Sequence, residues 1–183
     1  MADSWPVPED AQRFAWLRLI RTPRIGPATF RDLINQYGSA QTALDALPEM
    51  TARRGRPIKP VDSATVEKEM ADAARIGARF VIIGEETYPP LLAKIDHPPP
   101  VLCVLAQTKE QLRRPAVGLV GSRNASAGGI TLAKQMAQEL GEAGFLVISG
   151  LARGMDAAAH TGALRTGTIA FTAGGLARPY PPE

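Results

Sequence analysis

Two short stretches of this sequence combine the residue types that capture an anion: GSRNASAGG at 121–129 and SGLARGMD at 149–156. Each joins glycines, a hydroxyl and one arginine, with Ser122 beside Arg123 in the first and Ser149 near Arg153 in the second. Glycine lets the backbone come close to a ligand and turn its N–H groups outward. A helix N-terminus adds partial positive charge, and a guanidinium offers a forked pair of donors matched to a phosphate. One such arginine would read equally well as a surface charge or half of a salt bridge. Two at matching places favour an anion site. Whether that anion is a nucleotide, a sugar phosphate or a nucleic-acid backbone stays open at the level of residue types.

Other chemistries fit less well. No G-x-G-x-x-G follows the strand before Gly121, no acidic residue closes GFLVISG, and no G-x-x-x-x-G-K-[ST] occurs, which argues against dinucleotide and P-loop sites. His97 lies in a proline-rich connector and His160 in a helical stretch, without a partner Cys or carboxylate pair, so both read as structural or solvated. Asp156 opens a helix and reads as its cap; its charge would repel a phosphate unless it orients Arg153. The single Cys103 forms no disulfide framework and fits a reducing compartment, and no apolar run is long enough to cross a bilayer. A cytoplasmic protein is expected. The net charge of +3 is unevenly placed: residues 1–111 carry 14 basic and 14 acidic side chains, residues 112–183 carry 7 and 4. The surplus therefore lies with the two loops.

What must position those loops is an alternation of strands and helices. Residues 117–120, 145–148 and 168–172 read as buried strands, with Phe145 and Phe171 in the core. Between them lie a helix apolar at Ile130, Ala133, Met136, Ala137 and Leu140, and a second over 156–164. A β-α-β-α-β order with connections too long for hairpins gives a parallel sheet, so the fold class is α/β. Both loops then leave its carboxyl edge, where open parallel sheets bind ligands. Ahead of this lies a small all-α region. Its helices are expected over 11–21, from Pro27 to Gly38, from a Ser39 cap to Pro48, and over 62–76, with RRGRPIKP (53–60) a solvated loop. ARFVIIG (78–84) and VLCVLA (101–106) read as further strands. Two domains are expected, a helical one over 1–77 and the α/β one over 78–183. The sheet leaves an edge unpaired: either 79–84 and 101–106 fill it, or the chain is the front portion of a longer protein, the favoured reading.

The stretches VGLVGSRNASAGG, VISGLARGMDAAAHTGAL and GTIAFTAGGLARPYPPE, in that order and spacing, resemble the DNA-processing protein A (DprA, or Smf) family. ETYPPLLAKIDHPPPVLCVLA is similar to the segment before that family's Rossmann-like domain, and RIGPATFRDLINQYGSAQTAL to its N-terminal, SAM-like helical region. The resemblance implies a Rossmann-like parallel sheet, truncated here after βαβαβ and preceded by a SAM-like domain. It implies a binding protein without established catalysis, needing no cofactor or metal and not inserted in a membrane. Such a protein binds single-stranded DNA, protects incoming DNA, helps load the RecA recombinase during natural transformation, and forms a homodimer. Carried over by motif, Gly121, Ser122 and Arg123 form one wall of a DNA-phosphate pocket, and Ser149, Gly150, Arg153 and Gly154 the other. Tyr180 is the candidate for stacking on a base. Two departures stand out. GGLARPYP carries Ala177 and Arg178 where the family has an acidic residue, and family members continue well past Tyr180-Pro181. The rival is a nucleoside-phosphate hydrolase of the lysine-decarboxylase-like (LOG) group, but AGGLARPY lacks the glutamate of its P-G-G-x-G-T-x-x-E signature.

Overall fold

The computed structural model describes residues 10–53, 55, 57–106 and 114–176. The chain divides into two compact units between Leu105 and Ala106. In the first, helices α1 (Asp10–Arg21), α2 (Pro27–Tyr37), α3 (Ala40–Ala52) and α4 (Ser63–Arg75) precede strands β1 (Arg79–Ile82) and β2 (Val101–Val104). Pro27 opens α2, where a missing N–H costs nothing, and Gly38 ends it in the left-handed region at φ 77°. Ser39 caps α3 by accepting the Thr42 N–H. That helix was expected to stop at Pro48 but runs on to Ala52. Leu47 and Thr51 are buried on its inner face, and the Thr51 hydroxyl donates to the Leu47 carbonyl while accepting the Ile58 N–H. Packing and this bridge outweigh the proline's lost bond.

The core of this unit is large and aromatic. Trp16 meets Phe30 edge to face, their ring centroids 5.0 Å apart, among Leu19, Leu33, Leu44 and Leu47. Ile82 of β1 belongs to the same cluster and Val101 of β2 packs against it. β1 and β2 pair antiparallel, Arg79 opposite Val104, as a sheet of their own. The compact units therefore part after Leu105 rather than near residue 77, because the β1–β2 pair completes the helical core. Nor do these strands extend the parallel sheet, the alternative weighed from the sequence.

The second unit contains β3 (Ala116–Gly118), α5 (Ala127–Glu142), β4 (Leu146–Ser149), α6 (Met155–Ala163) and β5 (Thr168–Ala170). The strands are parallel in the order β3-β4-β5, with Val117 opposite Val147 and Ile148 opposite Ile169. A helical region followed by an α/β region with a parallel sheet is the fold class expected. Its core is built from small residues: Ala137, Ala159 and Ala163 close on Val147. A Cβ on Gly162 would collide with the Lys134 carbonyl, so α5 and α6 approach at backbone distance. Periodicity misjudged some faces. Ile130 and Met136 are exposed on α5, and Phe145 and Phe171 lie just outside β4 and β5, Phe171 at 42% exposure.

Candidate functional site

Both glycine–arginine loops emerge at the carboxyl ends of neighbouring strands, the first after β3 and the second after β4. They are packed on each other. The Met155 N–H donates to the Ser122 carbonyl at 3.2 Å. Gly154, at φ 87° and ψ −126°, lies so close to the Ser122 and Arg123 carbonyls that a Cβ there would overlap both. Gly121 lies equally tight against the Met155 side chain. These two glycines were expected to line a phosphate; what the structure requires of them is the joining of the loops. The resulting unit holds Ser122, Arg123 and Arg153 at the surface, all exposed.

Among the described residues the donors on that surface are unengaged. Arg123 and Arg153 form no hydrogen bond or ion pair among the described residues. The N–H groups of Val120, Gly121, Ser122 and Arg123 meet no acceptor among the described residues, nor do those of Leu151, Ala152, Arg153 and Gly154. The Ser122 hydroxyl oxygen accepts the Asn124 N–H at 3.2 Å, which leaves its own proton free to donate. Ser126 caps α5 by accepting the Gly129 N–H. Two exposed cations and two runs of N–H groups without an acceptor among the described residues, at one sheet edge, are the chemistry that suits an anion.

The other sequence-derived residues fall differently. Ser149 is buried, and its hydroxyl donates to the Leu119 carbonyl at 2.6 Å, fastening β4 to the end of β3. Its side chain shapes the site from below instead of facing a ligand. Gly150 sits over Asp156, whose carboxylate a Cβ at that position would strike. Asp156 was expected to cap α6, yet it makes no capping bond; at 6% exposure its Oδ1 has no hydrogen-bond partner. Tyr180, and the Ala177–Arg178 departure, lie outside the described residues.

Sequence reasoning missed His160 and Met155 as parts of the site. Met155 supplies the N–H and side chain that join the loops. His160 bonds the second loop directly, its Nε2 lying 2.5 Å from the Gly150 carbonyl oxygen. The available signal was a lone imidazole within an alanine-rich helix, DAAAHTGA, where size alone would call for something smaller. Among the described residues no three His, Cys, Asp or Glu side chains gather as metal ligands, and no helix is long and apolar enough to cross a membrane.

Comparison with known proteins agrees with this architecture. The family model described as DNA recombination-mediator protein A matches residues 79–183, and that of a DprA-like N-terminal HHH domain matches residues 10–72. Protein Smf from Synechocystis sp. is 28% identical over 95% of this chain and 47% of its own length. The DNA processing protein DprA of Streptococcus pneumoniae is 38% identical over 53% of this chain and 34% of its own length. The X-ray structure of DNA processing protein A from Streptococcus pneumoniae superposes with a TM-score of 0.60 at 24% identity, over 94% of this chain and 56% of that one. The chain thus spans about half, or less, of the length of the curated relatives it matches.

Proposed function

The chain belongs to the DNA recombination-mediator protein A family, and from that premise we propose that it binds single-stranded DNA by capturing backbone phosphates on the two joined glycine–arginine loops. The observation that carries this reading is the pairing of two exposed guanidiniums with two runs of N–H groups on neighbouring strand ends, all without a partner among the described residues. Such a surface recognises the phosphate backbone and carries no base-edge code, as general strand binding needs. Gly121 and Gly154 act by joining the loops and Ser149 by fixing their base. Ser122, Arg123, Gly150 and Arg153 supply the contacts, and Tyr180 a stacking surface. Loading of RecA onto the bound strand, a homodimeric state and a cytoplasmic location complete the proposal, as the family resemblance implies.

The test is fluorescence anisotropy of a labelled oligo-dT against the chain and its variants over a range of salt. Arg123→Ala and Arg153→Ala should each weaken binding and lower the slope of log K against log salt by about one. Arg21→Ala, which removes a cation already paired with Glu69 at 2.7 Å, should leave the slope unchanged. Equal slopes for the wild-type chain and both loop variants would end the phosphate-capture reading. RecA loading is read separately, as RecA-dependent ATP hydrolysis on a strand pre-coated with single-strand-binding protein, with and without the chain. No acceleration at saturating chain would exclude it.

A further inference from the structure

We infer that His160 is a positioning residue of the anion site and that the backbone N–H it presents is that of Leu151. This rests on the phosphate-capture reading of the two loops. His160 lies on α6 one turn beyond Asp156, so both reach Gly150 from beneath. A carbonyl oxygen can only accept, so the imidazole Nε2 carries a proton and donates it to Gly150 at 2.5 Å. The other ring nitrogen, Nδ1, lies 2.8 Å from the Thr168 hydroxyl of β5. That hydroxyl in turn lies 2.8 Å from the Val147 carbonyl of β4. The Nε2–H bond thus ties the ring of α6 to the end of one strand, while Nδ1 lies beside the start of the next.

The consequence follows from peptide geometry. In a trans peptide the C=O and N–H point in opposite directions. Drawing the Gly150 oxygen toward α6 turns the Leu151 N–H away from the helix, and that N–H meets no acceptor among the described residues. The fixing is needed because residue 150 is glycine. Asp156 leaves no room for a Cβ there, and glycine alone would let the peptide plane rotate with little resistance. A flipped plane would offer a carbonyl oxygen where the site offers an N–H, exchanging attraction for repulsion toward a phosphate. His160 removes that freedom without touching the ligand.

The experiment compares His160→Leu, which keeps bulk and loses the donor, with His160→Gln, whose side-chain amide can still donate to Gly150. Oligo-dT affinity is read together with amide shifts in 15N spectra of the 183-residue chain titrated with the same oligonucleotide. His160→Leu should bind about tenfold more weakly, the scale of one hydrogen bond to a charged acceptor, and His160→Gln should recover most of that loss. The Leu151 amide should be among those that move most in the wild-type and Gln chains. A silent Leu151 amide while the Ser122 and Arg123 amides respond would overturn the inference and leave the phosphate site intact. So would wild-type affinity in His160→Leu. If no amide of 120–123 or 151–154 responds, and Arg123→Ala binds as the wild-type chain does, the site itself is wrong. Should His160→Leu not fold, the wild-type Leu151 shift still decides.

Discussion

The two units of this chain use the same kinds of side chain to opposite ends. In the first, most of the described arginines are tied down, among them Arg13 to Glu85 at 2.8 Å, Arg21 to Glu69, Arg18 to the Val61 carbonyl and Arg31 to the Asp96 carbonyl, with Arg24 and Arg79 the exceptions. Its core is filled by Trp16, Phe30 and leucines. In the second, Arg114 alone among comparable residues holds backbone, donating to the Thr166 and Gly144 carbonyls, while Arg123 and Arg153 stand free at the sheet edge among the described residues. Its core is three alanines around Val147, with Leu119 and Leu140 packed against them, and Val120 is 88% exposed. A cation with a partner contributes to shape; one without is available to a ligand. The contrast sets a part whose cations are mostly spent on its own form beside a part in which Arg123 and Arg153 have no partner among the described residues.

The largest effect expected tests the first half of that contrast. Phe30→Ala removes a fully buried ring and its edge-to-face partner at Trp16, which costs about 3–5 kcal/mol. Residue-resolved hydrogen exchange should show protection lost in α1, α2 and α3 while α5 and α6 keep theirs. Equal loss in both units would mean that they unfold as one and that the contrast is not energetic. The complementary change is Gly154→Ala. Its φ of 87° with ψ −126° suits glycine alone, so the backbone strain costs roughly 1–3 kcal/mol before the added Cβ meets the Ser122 and Arg123 carbonyls. The loops must part. Oligo-dT binding should fall steeply while exchange protection in α1–α3 stays as it was. Retained binding would show that the junction of the loops is not what makes the site.

How much of this was legible from sequence follows the range of the interactions involved. Local signals read correctly: Pro27 and Gly38 bound α2, Ser39 caps α3, and the β-α-β-α-β order places Arg123 and Arg153 on neighbouring strand ends. The Ser149 hydroxyl bond was not legible, because its acceptor at Leu119 is 30 residues away and such a long-range partner has no local signature. The same holds for His160, whose partners Gly150 and Thr168 sit on two different segments. The pairing of β1 with β2 depends on register across an irregular connector, which neither strand encodes by itself. Periodicity ranks the faces of a helix but does not say whether anything covers them, and so Met136 and Ile130 are exposed. Pro48 reads as a stop until the buried Thr51 bridge is known.

A finer test of the contrast uses a hydroxyl that serves shape alone. Tyr88 is buried in the first unit, and its phenol donates to the Pro99 carbonyl at 2.7 Å, pinning the proline-rich connector ahead of β2. Burial pushes its ionisation well above the ordinary tyrosine range, because the anion would lose its hydration. The sign then follows. Folded and unfolded chains both hold the proton at neutral pH, so the contribution is complete there. Above about pH 10 the unfolded chain releases it while the folded chain keeps it, and stability falls as pH rises. Tyr88→Phe should cost about 1 kcal/mol at neutral pH through the lost hydrogen bond. It should also remove this part of the alkaline decline. Urea unfolding of both chains at neutral and at strongly alkaline pH should therefore show the wild-type advantage shrinking and then reversing. A gap that stays constant with pH would mean that the phenol reaches water in the folded state and that Pro99 is held by other contacts. Among the described residues the second unit has no tyrosine, so exchange protection in α5 and α6 should not distinguish the two chains at either pH.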